Sequence, residues 1–234
     1  MNPDFTRVGA LLGNPGRSAI LNELMKGDRM SATELGRAAH VAPPTASEHL
    51  AALRAGGLVQ VELRGRHRLY SISRPEVGEA LEALARICPP TPIRSLHQSI
   101  ARGNLSFART CYDHLAGRLG VALHDALRRQ RWIRGYDQEY VLTRVGRRAL
   151  LELGVDLERA RTSRRAYARP CLDWTEKRYH LAGALGAAIT SAMFDRGWLR
   201  RNENPERSVE LTTAGRSGLA RMRVDVPPFL ELTS

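Results

Sequence analysis

Between Ser31 and Tyr70 the chain carries a run of local signals that leaves little freedom in how it folds. Ser31-Ala32-Thr33-Glu34 has the spacing of a capping box and starts a short helix over Thr33 to Ala39. After His40-Val41-Ala42, Pro43 and Pro44 stand where a first helical turn tolerates proline. That helix runs to Ala55, with Leu50 and Leu53 on its apolar face and Gly56-Gly57 as its stop. Leu58 to Leu63 reads as a strand, Arg64-Gly65 as a turn, and Arg66-His67-Arg68-Leu69-Tyr70 as a basic return strand. Two helices joined by a short turn, then a hairpin, is the order of a winged helix-turn-helix. Such a module lays its second helix in the major groove of DNA.

The charge agrees with that partner. The chain has 36 Lys and Arg against 24 Asp and Glu, a net charge of +12, which favours a polyanion such as double-stranded DNA. The second helix offers Thr45, Ser47, Glu48 and His49 on its exposed face, with Arg54 near its end. Arg64, Arg66, His67 and Arg68 of the wing suit neighbouring phosphates or the minor groove. No Gly-rich phosphate loop, paired zinc-protease histidines or Cys-x-x-Cys motif is present, so an enzyme is not expected. No apolar run is long enough to cross a bilayer and no signal peptide is visible. Cys88, Cys111 and Cys171 do not make a secreted disulfide framework. The expectation is a cytoplasmic protein with no membrane partner.

The flanks read mostly as helix. Phe5 to Leu12 forms a short one; Pro15 to Lys26, capped by Asn14, buries Ile20, Leu21, Leu24 and Met25. After the wing, Pro75 to Ile87 carries Val77, Leu81, Leu84 and Ile87 on one face. A small winged domain cannot cover that stripe, so a second subunit or the C-terminal half must. Cys88-Pro89-Pro90-Thr91-Pro92 breaks the helix. The domains are therefore expected at 1–87, a linker at 88–99, and a second domain over 100–234.

That second domain contains a duplication, over about 108–157 and 168–226. Ala108-Arg109-Thr110-Cys111-Tyr112-Asp113 matches Ala168-Arg169-Pro170-Cys171-Leu172-Asp173. His114-Leu115-Ala116-Gly117 matches His180-Leu181-Ala182-Gly183 after an insertion, and the register holds to Trp132 and Trp198. Thr143 and Thr212 then cap equivalent helices. Each copy amounts to half a winged helix, and two such units can share one core about a pseudo-twofold. The glycines of Leu-Ala-Gly-x-Leu-Gly weaken a helix by roughly 1 kcal/mol each; close approach of the two copies' helices accounts for them. The fold class is thus mainly α with small β-hairpin wings (α+β): a winged helix-turn-helix followed by a tandem of two winged-helix-like half repeats.

Residues Asn14 to Ile72 resemble the ArsR-type winged helix-turn-helix regulators. The resemblance is carried by Asn14-Pro15-x-Arg17-x-x-Ile20-Leu21-x-x-Leu24, Thr33-Glu34-Leu35, Thr45-Ala46-Ser47-Glu48-His49-Leu50-x-x-Leu53-x-x-Gly56-Gly57-Leu58-Val59 and Arg64-Gly65-Arg66. It implies a homodimeric repressor that leaves a palindromic operator when an effector binds. An architectural DNA-binding protein without an effector is the alternative. Two metal sites known in the family are missing: Glu34 to His40 has no cysteine, and Pro75 to Ile87 has neither Asp nor His.

The duplication supplies other candidates. Cys111, Asp113 and His114 form one set and Cys171, Asp173 and His180 the other. Converging on a pseudo-twofold, they suit zinc or another divalent transition metal. Cys111 and Cys171 could instead form a redox pair, with Arg109 and Arg169 lowering the thiol pKa. A third reading is purely structural, with Asp173-Trp174-Thr175-Glu176 a capping box and Asp113 capping a helix that begins at His114. The arginine run from Arg159 to Arg169 is a solvated face, a DNA contact or an anion holder.

Overall fold

Asn14 and Ser31 cap the helices assigned to them. Asn14 Oδ1 accepts the Arg17 N–H at 3.0 Å. Both halves of the capping box form, with Ser31 Oγ accepting from Glu34 N and Glu34 Oε2 accepting from Ser31 N. The computed structural model describes residues 4–89, 92–135, 139–202 and 207–228. It divides into two compact units between Leu84 and Ala85. Pro90 and Thr91 of the proline break lie outside the described residues.

The first unit holds α1 (Phe5–Leu12), α2 (Pro15–Leu24), β1 (Met30–Ser31), α3 (Ala32–Ala38), α4 (Pro43–Ala55), β2 (Val59–Arg64), β3 (His67–Ile72) and α5 (Pro75–Ala85), whose last residue lies past the division. β3 is the centre of an antiparallel sheet ordered β1-β3-β2. Ile20, Leu21, Leu24, Leu35, Leu50 and Leu53 are buried as its core. Small shifts separate this from the sequence reading. Arg64 pairs with His67, so the turn is Gly65-Arg66, one residue later than expected. Gly65 there takes φ 59°, the positive value that a two-residue hairpin turn needs. α5 stops short of Ile87, and of its stripe Val77 is buried while Leu84 is exposed.

The second unit opens on α6 (Leu96–Phe107), capped by Ser95 and begun inside the stretch read as linker. Then come β4 (Arg109–Cys111), β5 (His114–Ala116), α7 (Gly117–Arg129), β6 (Ile133–Arg134), β7 (Val141–Leu142) and α8 (Arg144–Glu152). After α9 (Leu157–Arg161) the same order returns as β8 (Arg169–Leu172), β9 (Tyr179–Ala182), α10 (Gly183–Asp195), β10 (Leu199–Arg201), β11 (Val209–Leu211) and α11 (Thr213–Arg221). Each pair of successive strands is an antiparallel hairpin.

Hydrogen bonds cross between the two segments in matched pairs. Val209 N–H donates to Ala108 O at 2.9 Å, and Tyr140 N–H donates to Ala168 O at 2.8 Å. Gln130 Nε2 donates to Met222 O, and Arg196 Nε donates to Leu153 O, each at 2.7 Å. These are equivalent positions in the sequence alignment of the copies, so a pseudo-twofold axis relates them. Leu119, Leu127, Leu185, Ile189, Trp198 and Leu219 belong to one buried core that draws on both segments.

Three local expectations are corrected. His114 and His180 lie on strands, and the helices begin at Gly117 and Gly183, with φ of 75° and 85°. Asp113 caps no helix, and Asp173 to Glu176 is a turn between β8 and β9 rather than a helix start. The glycines at 120 and 186 do not mark a helix–helix contact. A Cβ on either would come to 2.5 Å from its own copy's Leu115 or Leu181 carbonyl oxygen, and would next meet the other copy's histidine.

Candidate nucleic-acid interface and thiol–imidazole cluster

In the first unit, α4 turns Ser47, Glu48 and Arg54 outward, while Thr45 and His49 are half-buried. Ser47 Oγ donates to Pro43 O at 3.0 Å, which points the hydroxyl back along the helix. His49 lies over Gly16 of α2, its Nε2 2.7 Å from where a Cβ would stand. The wing exposes Arg64, Arg66, His67 and Arg68. Glu62 holds Arg64 at 3.1 Å and also Arg29 at 2.6 Å. Arg66, His67 and Arg68 have no side-chain ion pair or hydrogen bond among the described residues. Sequence reasoning missed Arg29, which reaches the wing only because β1 pairs with β3, a long-range register with no local signature.

In the second unit, the hairpins β4–β5 and β8–β9 set Cys111 opposite His114 and Cys171 opposite His180. One donor atom from each of these four residues lies within 4.8 Å of all the others. The two Sγ atoms are 3.9 Å apart, and the imidazole centroids 5.2 Å. Cys111, His114 and His180 are buried and Cys171 is half-buried. The Nε2 atoms of both histidines are buried without a hydrogen-bond partner.

Asp113 and Asp173, read beside them in the sequence, stand behind the imidazoles instead. Asp113 Oδ1 is 3.3 Å from His114 Nδ1, and Asp173 Oδ2 is 3.2 Å from His180 Nδ1. Each carboxylate has an arginine: Arg165 reaches Asp113 at 2.6 Å, and Arg109 reaches Asp173 at 2.9 Å. Arg165, from the arginine run, thus does for one copy what Arg109 does for the other. Arg169, the sequence equivalent of Arg109, donates to the Pro170 carbonyl.

Charge in the cluster follows from these neighbours. Burial opposes ionisation of Asp173, but His180, Arg109 and Thr175 hold its pKa well below the usual carboxylate range. Burial likewise disfavours a charged His114, yet Asp113 and the Cys171 thiol outweigh it and push it up to about 9. The hydrogen bond with Cys111 leads the effects that pull the Cys171 thiol far below its ordinary value; burial opposes them, and both histidines add to them. The cluster therefore supports thiolate, the form that ligates metals and attacks disulfides.

A winged helix with a polar recognition helix and a basic wing defines a DNA-binding protein. The family model described as the bacterial regulatory protein, arsR family, matches residues 14–61. Over 216 residues the chain is 39% identical to an uncharacterized HTH-type transcriptional regulator, YdfF, of Bacillus subtilis (strain 168), covering 92% of this chain and 95% of that one. The chain belongs to the arsR family of DNA-binding transcriptional regulators. It is also similar to the crystal structure of NolR from Sinorhizobium fredii (28% identity, 37% of this chain and 96% of that one, TM-score 0.33). The NMR structure of the cadmium metal-sensor CMTR from Mycobacterium tuberculosis is similar at 26% identity, covering 38% of this chain and 97% of that one, with TM-score 0.31. Among the described residues no helix is long and apolar enough to cross a membrane.

Proposed function

We propose that the chain is a cytoplasmic homodimeric repressor that binds a palindromic operator and is released when an effector acts on its second unit. The effector classes that suit that unit are a metal ion, oxidation of a thiol pair, or a small molecule. The observation that carries the DNA reading is the joint exposure of Ser47, Glu48 and Arg54 on α4 with Arg66, His67 and Arg68 on the wing. Dimerisation is supported by apolar side chains that the first unit leaves uncovered: Phe5 is 78% and Val8 40% exposed.

Footprinting on DNA upstream of the chain's own gene tests the reading. Two protected half-sites about one helical turn (34–36 Å) apart support it. Equal affinity for operator and random DNA would mean an architectural protein instead. Within this reading, Arg66→Ala is expected to weaken binding to specific and random DNA alike and to lower the salt slope by about 1. Ser47→Ala is expected to cost about 1 kcal/mol on the operator at one base pair and nothing on random DNA. Competition titrations at several salt concentrations measure both. A uniform loss for Ser47→Ala would remove that residue from base reading.

A further inference from the structure

We infer that Cys111, His114, Cys171 and His180 form a four-coordinate site for a zinc-class divalent transition-metal ion, which ties the two copies together on their pseudo-twofold axis. This deepens the effector reading above, and rests on it only for what the ion does to DNA binding.

Spacing favours an ion over a bond between the sulfurs. A tetrahedral zinc with bonds of about 2.3 Å to sulfur sets two thiolates about 3.8 Å apart, and here they are 3.9 Å apart. A disulfide requires about 2.05 Å. All four donor atoms lie within 4.8 Å of one another and must draw in further to reach the edges of about 3.4–3.8 Å of a tetrahedral site. A tilt of the imidazoles supplies that, because nothing bonds their Nε2 atoms.

Orientation agrees. A metal-binding histidine normally gives its other ring nitrogen to a carboxylate, which fixes the ring and leaves one lone pair for the ion. Asp113 bonds His114 Nδ1 in this way; Asp173 Oδ2 lies 3.2 Å from His180 Nδ1, near enough to take the same bond after a small turn of the ring, and each Nε2 is buried without a partner. The charges also close. Arg165 and Arg109 balance the two carboxylates, the histidines ligate as neutral rings, and a divalent ion balances the two thiolates.

Each hairpin contributes one cysteine and one histidine from directly opposed positions. One ion thereby joins β4–β5 to β8–β9. Four protein donors leave no open position, so the ion is held rather than used for catalysis. Gly120 of α7 faces the His180 Cβ, and Gly186 of α10 faces the His114 Cβ.

The test uses the full chain, reduced, with Co²⁺ as probe and Zn²⁺ as competitor. One Co²⁺ per chain is expected, with the strong visible bands of four-coordinate cobalt and a thiolate-to-cobalt charge-transfer band, both lost on adding one equivalent of Zn²⁺. Cys111→Ser and Cys171→Ser should each weaken uptake at least 100-fold. Asp113→Asn should weaken it about 10- to 100-fold and keep the charge-transfer band. A folded, reduced wild-type chain that shows neither band overturns the proposal, whatever becomes of the variants. Undiminished charge transfer in both serine variants overturns it too. So does a Cys111–Cys171 disulfide in a chain that takes up no metal when reduced. Operator binding with and without chelator is read separately. Metal uptake with unchanged operator affinity supports the site and overturns only the reading of the ion as effector; operator binding without metal uptake overturns the site and leaves the DNA-binding reading standing.

Discussion

Arg109→Met is expected to lower the stability of the second unit by about 3–5 kcal/mol, the cost of stranding one partner of a buried ion pair. Arg109 and Asp173 are both fully buried, with Nη2 2.9 Å from Oδ2. The same Oδ2 accepts the Gly117 N–H at 2.8 Å, and Oδ1 accepts the Thr175 and Glu176 N–H groups. Asp173 cannot easily take up a proton and withdraw its charge, because those donors require the ionised form. The guanidinium also lies 4.5 Å over the Trp174 ring and donates to the Leu105 carbonyl. Methionine fills similar length but supplies neither charge nor donors. The measurement is direct, since all three tryptophans (Trp132, Trp174 and Trp198) belong to the second unit. Denaturant titration followed by their fluorescence therefore reports on that unit alone. A loss below 1 kcal/mol would mean that water, not the protein, solvates this pair.

That ion pair also shows where sequence reading stops. The first unit was legible because its signals are local: Asn14, the Ser31–Glu34 box, Pro43-Pro44 and Gly65 each act within four residues of themselves. Shifts of one residue remained at the start of α3 and at the wing turn, and of two at the ends of α2 and α5. In the second unit, self-similarity located the cysteines and histidines without revealing what element carries them. Strands of three or four residues are too short to display a period of two. The helices after them begin with Ala116 and Ala182 as caps that offer no side-chain bond, so the boundary has no capping signature. Asp113 and Asp173 looked like caps or ligands because each lies near a cysteine and a helix. What makes them supports for imidazoles is an arginine 52 residues away in one case and 64 in the other. No spacing rule reaches that far. α6 was hidden by the prolines just before it, although Ser95 and Gln98 form a recognisable start.

Gly186→Ala is expected to cost about 3 kcal/mol, the upper end for inserting one methyl group into a filled site. The new Cβ would stand 2.5 Å from Leu181 O and 3.0 Å from Leu181 C, and 3.3 Å from the His114 Cβ. The first two are backbone atoms of β9, so no rotamer change relieves them; α10 must move off the hairpin or the hairpin must open. Gly120→Ala repeats the clash against Leu115 O at 2.5 Å, and a pseudo-twofold pair should lose similar amounts. Gly103→Ala in α6 is the control. Nothing lies within 4 Å of its Cβ position, so alanine's better helix propensity should raise stability by up to about 1 kcal/mol. Tryptophan-monitored denaturation of the three variants decides the matter. If all three behave alike, the glycines at 120 and 186 serve only as weak helix positions. If the two clashing variants fall while Gly103→Ala rises, those glycines exist to let each helix settle on its own hairpin beside the opposite copy's histidine. The sequence motif Leu-Ala-Gly-x-Leu-Gly would then be the visible trace of how the thiol–imidazole cluster is closed.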